Sequence, residues 1–147
     1  MKLGEREFIQ RKNDRPRCQL NSSNTTYQTK QGYPYHSGIS TKTVGAKAIS
    51  LHTVTIPPGE REKAHLHSDH ETAVYQISGE TKLWFGENLE ECYMVGPGEF
   101  LYIPPNTPHL PINPSCTEPC VVVVARTDSN EQVSVVLLPH LDKLSRD

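Results

Sequence analysis

Four of the seven histidines fall in two short stretches. The first reads Gly59-Glu-Arg-Glu-Lys-Ala-His65-Leu-His67-Ser-Asp-His70-Glu71, and the second runs from Gly98 through Pro104, Asn106 and His109 to Asn113. On a strand, residues i and i+2 share a face roughly 6–7 Å apart at the backbone, so His65 and His67 can bite one metal ion. Pro104 and Asn106 mark a turn, and His109 opens the strand that follows it, where it can face the first pair across a barrel. Glu71 adds a carboxylate within one turn of the pair, with His70 as the competing fourth donor. A mixed imidazole and carboxylate set with open positions suits one divalent transition metal per chain; Fe, Mn, Ni and Zn all fit, and the donor types alone do not choose among them.

Rigid elements must hold these groups, and the 147-residue chain offers mainly short strands. Twelve prolines and nine glycines disfavour long helices and favour strands joined by tight turns. Apolar and β-branched stretches predict strands over 44–56, 72–78, 81–85, 92–95, 100–103, 121–126 and 133–138. Between them lie Pro-Pro-Gly, Ser-Gly-Glu, Gly-Pro-Gly, Pro-Pro-Asn and Asp-Ser-Asn, all turn formers. This even spacing predicts an all-β sandwich or closed barrel. Residues 1–31 are polar without lasting periodicity and read as an extended N-terminal arm, leaving 32–147 as one domain; a helical turn is expected after His140.

The charge of −2 leaves no basic excess for a phosphate backbone, so nucleic acid is not an expected partner. No run approaches the roughly 20 apolar residues of a membrane span. The opening MKLGEREFIQRKNDRPRC lacks the apolar core of a secretory signal, which predicts a cytoplasmic protein. Cys18, Cys92, Cys116 and Cys120 are scattered and are expected as free thiols rather than a disulfide or zinc knuckle.

The two histidine segments resemble the signature motifs of the cupin superfamily, and the general style is similar to small single-domain bacterial cupins. In the first motif Gly59, His65, His67 and Gly79 fall in register; in the second Gly98, Pro104, His109 and Asn113 do. The resemblance spans roughly 44–138. It implies a jelly-roll β-barrel, also called a double-stranded β-helix, with a metal in its mouth and often a dimer. The chain departs from the pattern twice. Asn106 stands where the motif has Gly, and Asn tolerates a left-handed backbone. The motif's Glu position falls on Thr72, with Glu71 one residue early, and a one-residue slip on a strand reverses a side chain's face. Ala73, Tyr75 and Ile77 continue the Glu71 face, which is the more apolar and therefore the expected lining; on that ground Glu71 is expected to join His65, His67 and His109 as a ligand, with His70 or no fourth ligand as the alternatives.

The remaining candidates have plain readings. His52 is expected as a core or pocket polar residue, and His36 and His140 as solvated. Tyr75, Trp84, Phe85, Phe100 and Tyr102 are expected mostly as barrel packing, and Glu60-Arg-Glu-Lys63 as a solvated charged turn. Arg126 either binds a substrate carboxylate or ends its strand in solvent, and Gln76 is a second candidate for orienting a substrate. The resemblance implies a metal-dependent oxygenase of a small organic molecule, with a metal-dependent isomerase or lyase of a sugar or small acid as the alternative, or a non-catalytic ligand-binding module. The Arg-Gly-Leu-His stretch of metal-independent sugar epimerases is absent. Exposed strand edges and the polar arm predict a homodimer.

Overall fold

The structure, a computed structural model, describes residues 2, 4–5, 15–22, 25–130 and 132–144. Its elements are β1 (Thr26–Tyr27), β2 (Tyr35–Ile39), α1 (Thr41–Val44), β3 (Ser50–Ile56), β4 (His65–His67), β5 (Thr72–Ser78), β6 (Thr81–Phe85), β7 (Glu91–Val95), β8 (Phe100–Ile103), β9 (His109–Ile112), β10 (Cys120–Arg126), β11 (Val135–Leu137) and α2 (Pro139–Asp142). Two antiparallel sheets form, in the orders β1-β2-β3-β10-β5-β8 and β11-β4-β9-β6-β7. Neighbours in the sheets are mostly distant in sequence, the strand exchange of a jelly roll, and the all-β expectation stands.

Most expected strands form close to the positions read from the pattern. The one expected over 44–56 starts only at Ser50, because the preceding residues turn into α1. Ser40 accepts the Thr43 amide, Thr43 returns the bond to the Ser40 backbone, and Gly45 at φ 70° ends the helix. Part of the expected arm lies outside the described residues. Its end does not stand off the body: β1 pairs with β2, and Thr29 and Gln31 are buried.

Two apolar clusters sit on opposite sides of the sheet that carries His65, His67 and His109. Tyr35, Val54, Ile56, Cys120, Val122 and Val124 fill the interior face of the larger sheet. Ala64, Leu89, Leu110, Ile112 and Leu141 form the second, with Leu138 and Leu144 against it. This second cluster fixes the edge that carries β4: the Ala64 amide donates to Asp142 Oδ1 at 2.7 Å, and the Leu138 amide donates to the Ala64 carbonyl at 2.9 Å. Gly79, the closing residue of the first motif, has φ 67°, and a Cβ there would lie 2.2 Å from the Pro119 carbonyl oxygen. Only glycine fits that close crossing.

The apolar lining expected on β5 is a correction. Thr72 and Gln76 face inward and are buried, whereas Ala73, Tyr75 and Ile77 face out. Phe100 and Tyr102 on the neighbouring β8 are also exposed, at 82% and 57%, so they do not pack the barrel. The pattern misleads because β5 turns two polar residues inward, where Arg126 bonds Thr72 and Thr81 bonds Gln76, so apolar content marks the wrong side of this strand.

Candidate metal centre

The smallest unit of the site is a cross-strand pair: His65 on β4 stands opposite His109 on β9. His67, two residues along β4, shares that face, as the period of two requires. All three rings are buried, and one ring nitrogen from each lies within 4.8 Å of the others. Ring centroids are 4.3 Å apart for His65 and His109, 5.3 Å for His65 and His67, and 5.9 Å for His67 and His109.

The far side of each ring is fixed by a partner. His65 Nδ1 meets the Lys63 carbonyl at 2.6 Å and His109 Nδ1 meets the Thr107 carbonyl at 2.9 Å, in each case two residues back along the chain. A carbonyl oxygen only accepts, so both Nδ1 atoms carry the proton and both Nε2 atoms keep the lone pair. His67 Nδ1 lies 3.2 Å from Ser134 Oγ, and its Nε2 is buried without a hydrogen-bond partner. Burial holds the rings neutral: it pulls His109 down to about 4 and carries His65 and His67 well below the usual histidine range. Neutral imidazoles with lone pairs turned inward are what a transition metal requires, and the orphaned Nε2 of His67 has no other use on view. The residues fit a metal ion.

Glu71 is not brought to this cluster, which corrects the expectation. It is exposed and accepts a hydrogen bond from the Tyr102 hydroxyl at 2.8 Å on the outer face. No bulge interrupts β5 there, so strand alternation turns Thr72, only 2% exposed, to the interior instead. His70 does not join either; its Nδ1 lies 3.4 Å from Thr127 Oγ1. Thr72 Oγ1 accepts from Arg126 Nε at 3.0 Å. Where the motif carries an acid, this chain has a hydroxyl bonded to a cation.

Asn106 adopts φ 61°, as the motif's glycine would, keeps a backbone bond that a glycine could also make, and adds two side-chain bonds to Asp69 that a glycine cannot. Its Oδ1 accepts the Asp69 amide at 3.0 Å, its Nδ2 donates to Asp69 Oδ1 at 3.1 Å, and its own amide donates to the His67 carbonyl at 3.0 Å. The substitution thereby ties the loop after β4 to the turn before β9, the two segments that present the histidines.

A cavity opens beside the rings, lined by His65 and His109 and also by Glu62, Arg126, Tyr35 and Thr72. Glu62, only 5% exposed, corrects the reading of its charged run as a solvated turn. Long-range pairing inserts it: its amide donates to the Pro111 carbonyl at 3.1 Å, and Arg61 bridges to Ile112. Burial pushes its carboxyl up to about 7 against the opposing pull of Arg126. Gln76 lines the same cavity but is committed, with Nε2 donating to the Ser78 carbonyl at 3.0 Å and Oε1 accepting from Thr81 at 2.8 Å, so it is a structural residue rather than a free orienting group. His52 is buried as expected, stacked on Tyr35 at 4.0 Å with neither ring nitrogen partnered, and burial drops it to about 2. The sequence reading missed Glu62, Ser134 and the backbone acceptors of the histidines; the Nδ1 acceptors two residues back are the one local signal that spacing could have offered.

A strand-exchanged barrel with a histidine triad at its mouth defines a double-stranded β-helix protein. The family described as the cupin domain matches residues 52–126, and the chain belongs to it. No curated protein matches in sequence. Among solved structures, the polyketide cyclase RemF from Streptomyces resistomycificus is similar at TM-score 0.66 and 20% identity, covering 90% of this chain and 89% of that one. An oxalate oxidase gives TM-score 0.67 at 20% identity, covering 86% and 67%. A cupin sugar phosphate isomerase from Silicibacter pomeroyi gives 0.58 at 16%, covering 75% of each chain. These likenesses establish the fold.

Proposed function

We propose that the protein is a metal-dependent enzyme of small organic molecules, and specifically an oxygenase, with one Fe, Mn, Ni or Zn ion held by His65, His67 and His109. The observation that carries this is the convergence of three neutral, buried imidazoles, two of them on the wall of a cavity, each with its far nitrogen engaged. When bound, such an ion supplies Lewis acidity toward substrate oxygens and, if it is iron, activation of dioxygen. The chain's own residues do the rest. Val54, Val122 and Val124 wall the cavity against water, and the fixed rings keep the open side of the triad turned toward it. Three protein donors leave positions free for substrate.

Glu62 favours a second reading, an isomerase or lyase. A carboxyl poised near 7 in the cavity wall can take a proton from carbon or oxygen and return it, which is general acid–base chemistry. Proteins of similar fold include a sugar phosphate isomerase as well as an oxalate oxidase, so fold does not decide. Oxygen uptake during turnover of a diketone and catechol panel by iron-loaded protein supports the oxygenase. Anaerobic conversion of sugar or hydroxy-acid substrates, lost in Glu62→Gln, supports the isomerase or lyase. Metal binding without turnover in either panel leaves a ligand-binding module.

We further propose a cytoplasmic homodimer. None of the described helices is long and apolar enough to cross a membrane. The outer face of β5 and β8 exposes Tyr75, Ile77, Phe100 and Tyr102 side by side, a contiguous apolar face of the kind that a second copy would cover.

A further inference from the structure

Arg126 is the group for which the metal reading has no use. It ends β10, where a long cation would ordinarily reach into solvent, yet it is only 4% exposed. Strand alternation turns it inward, and it lines the same cavity as His65 and His109. Its Nε is bonded to Thr72 Oγ1, and its Nη1 is buried with no hydrogen-bond partner. Beside it in register on β3, Ser50 Oγ is likewise buried and unpartnered. Guanidinium stays protonated at any working pH, and a buried cation whose Nη1 has no acceptor is costly, so the site has room for an anion placed against that nitrogen. Glu62, on the same cavity wall, feels the pull of Arg126, but burial outweighs it and holds the carboxyl up to about 7, so it balances the cation only in part near neutral pH.

The charge balance points the same way. Three imidazoles contribute no negative charge, and Thr72 stands where the motif's acid would have contributed one. A divalent ion beside Arg126 therefore leaves the cavity strongly positive, opposed by Glu62 alone. Size narrows the class. The cavity measures about 60 Å³ in the measure by which one water needs roughly 10–15 Å³. It accommodates roughly four to six heavy atoms.

We propose that Arg126 is the carboxylate anchor of this cavity, and that the substrates are small monocarboxylates or dicarboxylates held with the carboxylate on Arg126 and a second oxygen turned toward the histidines; only that second contact rests on the metal-dependent reading above. Arg126 is then a binding residue. A planar fork suits a carboxylate, and such charge-assisted bonds are roughly twice as strong as neutral ones.

The test compares pyruvate with pyruvamide, which match in shape and differ in charge, by isothermal titration at millimolar concentrations and neutral pH. It is run on protein with its metal content counted and on chelator-treated protein. Pyruvate is expected to bind at least tenfold more tightly than pyruvamide. In Arg126→Gln the pyruvate affinity falls ten- to a hundredfold, pyruvamide stays within twofold, and metal content is unchanged. Arg126→Lys, which keeps the charge and loses the fork, lies between. The wild-type comparison needs no variant to fold. Equal affinities for the two probes, no binding of either, or an unchanged pyruvate affinity in Arg126→Gln overturns the anchor. If discrimination persists in protein that binds no metal, the metal-dependent reading fails and the anchor stands. A full metal complement without discrimination overturns the anchor and leaves the metal-dependent reading standing.

Discussion

Replacing Glu62 by Gln should change how stability depends on pH, in a direction and by an amount set by its burial. In the unfolded chain the carboxyl titrates near 4.5, and in the fold near 7. Between those values the native state holds a proton that the unfolded state has released. Stability therefore falls as pH rises through this window, and is insensitive to Glu62 below and above it. Each pH unit carries about 1.4 kcal/mol, so the whole window carries about 3 kcal/mol. Glu62→Gln keeps the shape and lacks the titration. Its stability relative to wild type should climb by about 3 kcal/mol from pH 4.5 to pH 7 and then level off. The assay is urea unfolding of both proteins across that range, after chelator treatment so that metal loading does not add its own pH dependence. Parallel pH profiles for the two proteins would refute the buried placement of this carboxyl.

Three other expectations are simpler to check. His52→Phe keeps a ring against Tyr35 and removes two buried, unpartnered nitrogens, so it should stabilise the protein by about 1–3 kcal/mol, read as a higher Tm, with weaker loss of stability below pH 6.5. Glu71→Gln should leave metal affinity within twofold of wild type, because the carboxylate meets Tyr102 on the outer face; a large loss by competitive chelator titration would return Glu71 to the ligand set. Phe100→Glu should convert a dimer into a monomer in light scattering at tens of micromolar, and a monomeric wild type would refute the pairing face.

The triad is legible in the sequence because it rests on short-range rules. The period of two puts His65 and His67 on one face, and the Pro104–Asn106 turn starts the strand that His109 opens. The same rules mislead a few residues later. Choosing the face of β5 by its apolar content assumes an apolar interior. Here the inward positions of β5 include Thr72, bonded to Arg126, and Gln76, bonded to Thr81, while Tyr75 and Ile77 lie outside. The register counted back from Gly79 points to Thr72 and is the sounder guide. Glu62 is hidden for a different reason. A charged run reads as solvated unless something distant turns one member inward, and the pairing of that segment with Pro111 and Ile112 is not visible in the local sequence. For Arg126 a strand end permits both pocket and solvent, and only the closure of the barrel decides.

The central claim is that His65, His67 and His109 together hold one metal ion. Elemental analysis of protein purified without chelator or added metal tests it most directly, with wild type set beside the double variant His65→Ala/His67→Ala. The account predicts close to one transition-metal equivalent per chain in wild type and almost none in the double variant, with circular dichroism showing both folded. A folded double variant that keeps a full equivalent in the same place, or a wild type that binds none even when iron, manganese, nickel and zinc are supplied, contradicts it.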